Sequence, residues 1–310
     1  MRSLSRFDYN FDFIGKRLHT TLASSILVII ALFSIIYQGL VLGIDFTGGV
    51  LVEVGYSNAV TLDGIRDKLH SNGFEDAVVQ YFGTTSDVLI RLGVHEEIND
   101  QTLSTKILTL LQQEGQQVDM RRIEFVGPQV GNELIEDGGL AVLYTLIGIL
   151  IYVAFRFEYR FAIGAVVALM HDTIITVGYF SLFRVEFDLT VLAAILAVIG
   201  YSLNDTVVVF DRVRENFLKF RKKDTIEIMN LSNNEVLSRT IMTSVLTLLV
   251  VVVLFFTGGE LIHGFATALI IGIVVGTYSS IYIASIVTLA LGVSRTDLAP
   301  VPKEGIDKSE

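Results

Sequence analysis

Six stretches of the chain stay apolar for long enough to cross a bilayer as helices, which takes about 20 residues each. They run approximately over Thr20–Ile44, Gly138–Phe155, Phe161–Phe183, Leu189–Phe210, Thr240–Gly259 and Gly264–Ser294. The first stands alone, and the other five follow one another with short connections. The first run is longer than a signal-peptide core and has no clear small-x-small cleavage site, so it is expected to remain as a span.

The segment between spans 1 and 2 follows shorter periods. Val50–Tyr56, Ala77–Phe82, Val88–Leu92 and Met120–Val126 read as strands. Thr61–Asn72 reads as a helix with Leu62, Ile65 and Leu69 on one face, and Asn99–Glu114 as another with Leu103, Ile107, Leu110 and Leu111. The order β-α-β-β-α-β predicts a ferredoxin-like split βαβ sandwich. The glycines and proline of VGPQVG predict a hinge into span 2. The expected fold class is therefore an α-helical integral membrane bundle of six transmembrane helices, with one α+β ferredoxin-like domain between spans 1 and 2.

Charge sets the expected orientation, because cytoplasmic loops are enriched in Lys and Arg. Arg2, Arg6, Lys16 and Arg17 precede span 1, Arg156 and Arg160 join spans 2 and 3, and Arg212, Arg214, Lys219, Arg221, Lys222 and Lys223 lie between spans 4 and 5. The opposite links carry Arg184 with Glu186 and Asp188, then Glu260 and His263. This predicts a cytoplasmic N-terminus over 1–19, a first transmembrane helix over 20–44 and a periplasmic domain over 45–135. A five-helix bundle follows over 136–294, with a basic cytoplasmic segment at 211–238, and a cytoplasmic tail over 295–310.

Composition narrows the chemistry. Hydrophobic residues make up 52% of the chain, which is a membrane composition, and cysteine is absent, so disulfides and thiolate chemistry are excluded. No HExxH occurs, and Gly15-Lys16 lacks the rest of a phosphate loop, so neither a zinc protease nor an ATPase is expected. Of the formal charge of −10, most sits between Gly43 and Leu134, where 14 acidic residues face 6 basic ones. Nucleic-acid binding is not expected of so acidic a segment.

Among the spans, only the third and fourth hold acidic residues. Gly164, Ala168, Asp172 and Thr176 recur at four-residue steps in span 3, a small polar face suited to helix packing rather than lipid. Asp205, beside Asn204 in GYSLNDTVVV, follows Ala193, Ala197 and Tyr201 at the same step in span 4. A carboxylate at the centre of a membrane helix costs roughly 2.5–3.5 kcal/mol on the insertion scale. It persists where it pairs, lines a polar cavity or carries charge, so Asp205 points to ion coupling.

Arg239 opens span 5 at a depth that allows an Asp205–Arg239 pair. Arrival of a proton or a sodium ion at Asp205 then weakens that pair and lets the two helices shift. The other readings stay open: helix glue for Asp205, satisfaction by His171 for Asp172, and snorkelling for Arg239. Asp211 and Arg212 read as interface anchors pairing with the next helix. Asp45, Gly48 and Gly49 in GIDFTGG are structural or gating candidates at a sharp turn. Gly264, Ala268, Gly272, Gly276, Ser280 and Ala284 form a small-residue stripe on span 6, suited either to two neighbours, one of them in another chain, or to packing within the bundle.

FDFIGKR before span 1, GIDFTGG after it, VGPQVG before span 2, then MHDTIITVGYFSLFRVEFDLT, IGYSLNDTVVVFDRVRENF, LSRTIMTS and FTGGELIHGF run in order over nearly the whole chain. Together they resemble the SecD/SecF family of bacterial protein-export membrane proteins, within the resistance-nodulation-division superfamily. GIDFTGG is common to both branches of that family, while GYSLNDT followed by DRVREN is specific to the SecF branch. The resemblance implies a non-enzymatic, multi-pass subunit of the inner membrane with both termini cytoplasmic. It implies work with SecD, the SecYEG channel and YajC on unfolded exported polypeptide, driven by the proton or sodium gradient and with no cofactor beyond H⁺ or Na⁺.

On the matching motifs, Asp205 and Arg239 are the family's ion-coupling positions, and Asn204 beside Asp205 and Asp172 of the family's His-Asp pair are ion-coupling candidates with them. A complete ion path is expected to need an acidic residue from SecD. Phe210 stands where the family leads one to expect a smaller side chain. Half of a small-molecule or lipid exporter and a non-transporting scaffold are the alternatives.

Overall fold

The fold was obtained as a computed structural model, and it describes residues 11–93, 100–112, 117–220 and 222–294. Arg2 and Arg6, both ends of the helix expected over Asn99–Glu114, Arg221 and the expected tail 295–310 lie outside the described residues. In chain order the elements are α1 (Arg17–Gln38), β1 (Val41–Leu42), α2 (Ile44–Thr47), β2 (Gly49–Tyr56), α3 (Leu62–Ser71), β3 (Val78–Phe82), β4 (Thr84–Leu92), α4 (Asp100–Leu111) and β5 (Val118–Val126). Then come α5 (Pro128–Arg156), α6 (Tyr159–Leu182), β6 (Glu186–Phe187), α7 (Leu189–Lys219), α8 (Thr225–Thr257), α9 (Glu260–Ile281) and α10 (Ile283–Ala290). Among the described residues, six helical segments are long and apolar enough to cross a membrane, the sixth being α9 and α10 joined at Tyr282.

The boundaries differ from the apolar runs for identifiable reasons. Span 1 ends at Gln38, not Ile44, because Gly39 takes φ +66°. Val41–Leu42 then pairs in parallel with Glu186–Phe187, and Ile44–Thr47 makes one helical turn. These residues are apolar because protein covers them, not lipid. The expected hinge at VGPQVG is instead the first turn of α5. Pro128 occupies the start of that helix, where a missing N–H costs nothing and the fixed φ is already helical. Helices α7 and α8 outrun their apolar stretches, and Asp188 and Asp224 cap their starts by accepting from Val191 N (2.8 Å) and Glu227 N (2.7 Å).

Strands β2 to β5 form an antiparallel sheet of spatial order β3-β4-β2-β5. Alternate residues of one face, Val50, Val52, Val54, Val88, Ile90 and Leu92, pack with Ile65 and Leu69 of α3 and Ile107, Leu110 and Leu111 of α4. That is the period-two and period-3.6 matching that builds a two-layer α+β core. Gly48 (φ +70°) and Gly49 (φ +125°) turn the chain from α2 into β2, and a Cβ on Gly49 would overlap Leu92 O.

This α+β domain is tied to the bundle at the start of α7. Arg91 of β4 ion-pairs with Glu186 of β6 and donates to Leu42 O at 3.2 Å. Asp45 Oδ2 accepts from Leu189 N at 3.0 Å. Burial pushes the Glu186 carboxyl above its ordinary value, Arg91 pulls it down, and Asp188 and Asp45 add to the rise.

Within the bundle, α9 lies against α7 through small residues. A Cβ on Gly264 would meet Val191 at 3.0 Å, one on Gly272 would overlap Val198, and one on Gly276 would meet Ser202 at 3.0 Å. Further along the same span, the Ala284 carbonyl lies 3.1 Å from a Cβ built on Gly164 of α6. The stripe thus serves two neighbours, both in this chain. Phe210 approaches the same Gly164 position and packs between Phe157 and Phe161, at ring distances of 6.1 and 4.9 Å.

Two asparagines strap the segment before α1 onto α8. Asn234 accepts from Phe11 N (2.9 Å) and donates to Phe11 O (2.8 Å). Asn230 accepts from Ile14 N (2.9 Å) and donates to Asp12 Oδ1 (2.8 Å).

Two outcomes are expected. Gly272→Ile should lower stability by about 1–3 kcal/mol through overpacking, whereas Gly148→Ala, whose added Cβ meets nothing within 4 Å, should be neutral or slightly stabilising; thermal unfolding in detergent compares them. Because the folded Glu186 carboxyl is raised, its contribution favours the folded state at low pH and is lost as pH rises through and above the ordinary value of 4.5. Glu186→Gln should flatten that part of the pH dependence of protease resistance in the α+β domain.

Candidate functional site

The two intramembrane carboxylates occupy opposite situations. Asp172, on α6, is 1% exposed, and its oxygens are satisfied by three donors. Ser202 Oγ of α7 donates to Oδ2 at 2.6 Å, Ser279 Oγ of α9 donates to the same oxygen at 2.7 Å, and His171 Nδ1 lies 2.9 Å from Oδ1. The four-residue face read from the sequence is the buried face of α6, with Ala168 and Thr176 fully enclosed. Periodicity located Asp172, and adjacency marked His171 as one partner, but Ser202 and Ser279 carry no local signal that they meet it.

Asp205, on α7, is 4% exposed, yet its Oδ2 is buried with no hydrogen-bond partner. Side-chain bonds fix the level of α7 against antiparallel α8. Tyr201 OH donates to Ser244 Oγ (3.3 Å), Arg212 Nε to Glu235 Oε2 (2.6 Å) and Asn216 Nδ2 to Ser232 Oγ (3.0 Å). This register sets Asp205 and Thr206 level with Arg239 and Thr240. The hydroxyls of Thr206 and Thr240 are likewise buried without partners. Arg239 supplies the opposing charge to Asp205 without a direct ion pair. Arg239 and Asn204 both face outward from the chain.

The remaining candidates are structural by their contacts. Asp211 pairs with Arg156 at the end of α5 (2.7 Å), not with the following helix as expected, because α5 ends beside α7 there. Arg212 does reach the following helix through Glu235, and also holds Glu215 at 2.5 Å. Asp45 caps the first turn of α7 from across the α+β boundary, and Gly48 and Gly49 supply the turn that follows. No local pattern signals this long-range cap, nor Asn216, whose Nδ2 also reaches Glu235 Oε2 at 2.7 Å.

A carboxylate with an open oxygen, opposed by a cation out of contact, is chemically suited to bind and release a proton or small cation. A carboxylate satisfied from three helices is suited to hold them together.

Comparison with known proteins agrees with this architecture. Residues 106–294 match the family model for protein export membrane protein SecD/SecF, C-terminal, and residues 33–60 match the SecD/SecF GG motif. The protein translocase subunit SecF of Vibrio alginolyticus is 52% identical over 93% of this chain and 92% of its own length. That of Pseudomonas aeruginosa is 50% identical over 93% and 94%. The crystal structure of SecDF from Thermus superposes with a TM-score of 0.85 at 36% identity, covering 93% of this chain and 39% of the solved one. SecDF in its super-membrane-facing form gives 0.70 at the same identity and coverage. With six helices long and apolar enough to span a membrane among the described residues, both family models matched and relatives aligned over more than nine tenths of their length, this chain belongs to the SecD/SecF family of protein export membrane proteins.

Proposed function

We propose that this chain is an ion-driven subunit of protein export, in which Asp205 and Arg239 couple a proton or sodium gradient to movement of the α+β domain. The observation that carries the reading is the open Oδ2 of Asp205 in an almost fully buried side chain. A residue serving as helix glue has its oxygens bonded, as Asp172 does; Asp205 does not. A charge moving through 100 mV releases about 2.3 kcal/mol, enough to shift a helix pair held by a few polar contacts.

The path from the site to the domain is α7 itself. Its first turn is held by Asp45, and Glu186 just before it is held by Arg91 of the domain. The βαββαβ order and antiparallel four-stranded sheet support a ferredoxin-like domain. The loop charges support placing that domain outside the inner membrane and both termini in the cytoplasm. The two SecDF structures superpose on this chain to different extents at equal identity, which supports a region that takes more than one arrangement.

A partner is part of the reading. An outward-facing Arg239 and Asn204 at membrane depth are costly against lipid. SecD covering that face, and supplying a further acidic residue, accounts for them. The chain spans 39% of the solved SecDF molecule, consistent with half of such an assembly. SecYEG and YajC complete the expected set, with unfolded exported polypeptide as the cargo.

The test is secretion of a reporter in cells carrying Asp205→Asn, with co-purification of SecD, while the membrane potential and the sodium gradient are varied separately. Assembly should persist and export should fall to the level of wild-type cells with the gradient collapsed. The gradient to which wild-type export responds names the ion. Normal, gradient-responsive export by the variant defeats the proposal.

A further inference from the structure

Asp172 is more than a brace. Its carboxylate is buried to 1% exposure with no Lys or Arg bonded to it among the described residues. A fixed negative charge so placed is costly without a cation. His171, 7% exposed, provides the only counter-charge in contact, and only when protonated. Its Nδ1 is bonded to Asp172, while its Nε2 is buried and has no partner. An orphaned ring nitrogen inside a bundle is costly, so its persistence asks for a use.

The surroundings supply one. His171 lines a groove of about 520 Å³ between α1, α6 and α10, with Thr21 and Ser24 on one wall and Ile286 on another. Tyr278 of α9 stands 6.4 Å from the imidazole, ring to ring, and its hydroxyl is engaged by Ser24 Oγ and Thr20 O, each at 3.0 Å. On the other side, Ser202 bonds Asp172 and lies one turn from Asp205 and Thr206 on the same helix. The groups facing the pair are therefore Ser202 and, a turn away, Asp205 on α7; Tyr278 and Ser279 on α9; the uncharged Thr21 and Ser24 on α1; and apolar Ile283, Ile286 and Val287 on α10. Arg239, on α8, acts on Asp205.

We propose that His171 and Asp172 form a second proton-binding site in the bundle, loaded from the groove between α1, α6 and α10 and discharged through Ser202 toward Asp205. A proton enters at His171 Nε2, and the Nδ1 proton passes to Asp172. Discharge requires the Ser202 hydroxyl, which donates to Oδ2 in this structure, to turn toward Asp205 one helical turn away; its oxygen then accepts the carboxyl proton as its own passes to Asp205. Only N–H and O–H bonds form and break, and nothing is oxidised. Loading removes the charge that both serines donate to, so the bonds holding α7 and α9 to α6 weaken together. The discharge leg rests on the Asp205 reading; the binding site itself does not.

The measurement is pH-difference infrared spectroscopy of the full chain in liposomes of zwitterionic lipid, in the wild type and in an Asp205→Asn background. A protonated-carboxyl band should titrate in both, vanish in Asp172→Asn and shift its midpoint in His171→Gln, which keeps side-chain polarity should Asp172→Asn fold poorly. Absence of the band, or a midpoint unmoved by His171→Gln, overturns the site and leaves Asp172 a fixed cross-brace. Ser202→Ala should retain the band but lose gradient-dependent export; export intact in that variant overturns the exit route. A titrating band together with normal export in Asp205→Asn keeps this site while removing the Asp205 reading.

Discussion

The contact between α9 and α7 is the constraint on which the rest of this molecule depends. It is made by glycines: Gly264, Gly272 and Gly276 bring the backbone of α9 against Val191, Val198 and Ser202. Without a hydrophobic effect between helices in lipid, such close approach is what gives membrane helices their packing energy. It also decides which polar groups can meet. Ser279 reaches Asp172 only because Gly276, one turn earlier, leaves room for Ser202 and the carboxylate.

The same geometry separates two carboxylates that look alike in the sequence. One is bonded from three helices, the other has an oxygen left open, and they sit about a helical turn apart through Ser202. A bundle that placed both in the same state would be either rigid or unstable. The difference lies in satisfaction: one carboxylate is bonded across helices, and the other keeps an oxygen open.

Much of this could be read from the chain. The six apolar runs mark the six spans, and the short β-branched and apolar runs Val50–Tyr56 and Val88–Leu92 mark the sheet. Asp205 stands out because nothing around it is charged. The end of α1 could not be read, since Val41, Leu42 and Ile44 are as apolar under protein as under lipid. Nor could the continuation of α7 past Phe210, where Val213, Asn216 and Phe217 are buried on one face of an otherwise polar stretch. The partners of Asp172 lie 30 and 107 residues away, beyond any local period. Phe210, larger than the family resemblance suggests, is accounted for by the aromatic cluster it completes.

The asparagine strap has a consequence for biosynthesis. Phe11 and Asn234 are 223 residues apart, and Ile14 and Asn230 are 216 apart. Chains are made from the N-terminus, so residues 11–14 emerge with their backbone groups unmet and wait while four spans are inserted. Ile14, fully enclosed in the main core, waits with them. A segment synthesised before the first span is thus among the last to settle, and its docking closes the bundle only when α8 has arrived. Any insertion or deletion among residues 11–14 would be felt at that closing step, late in assembly, rather than in the insertion of the first helix.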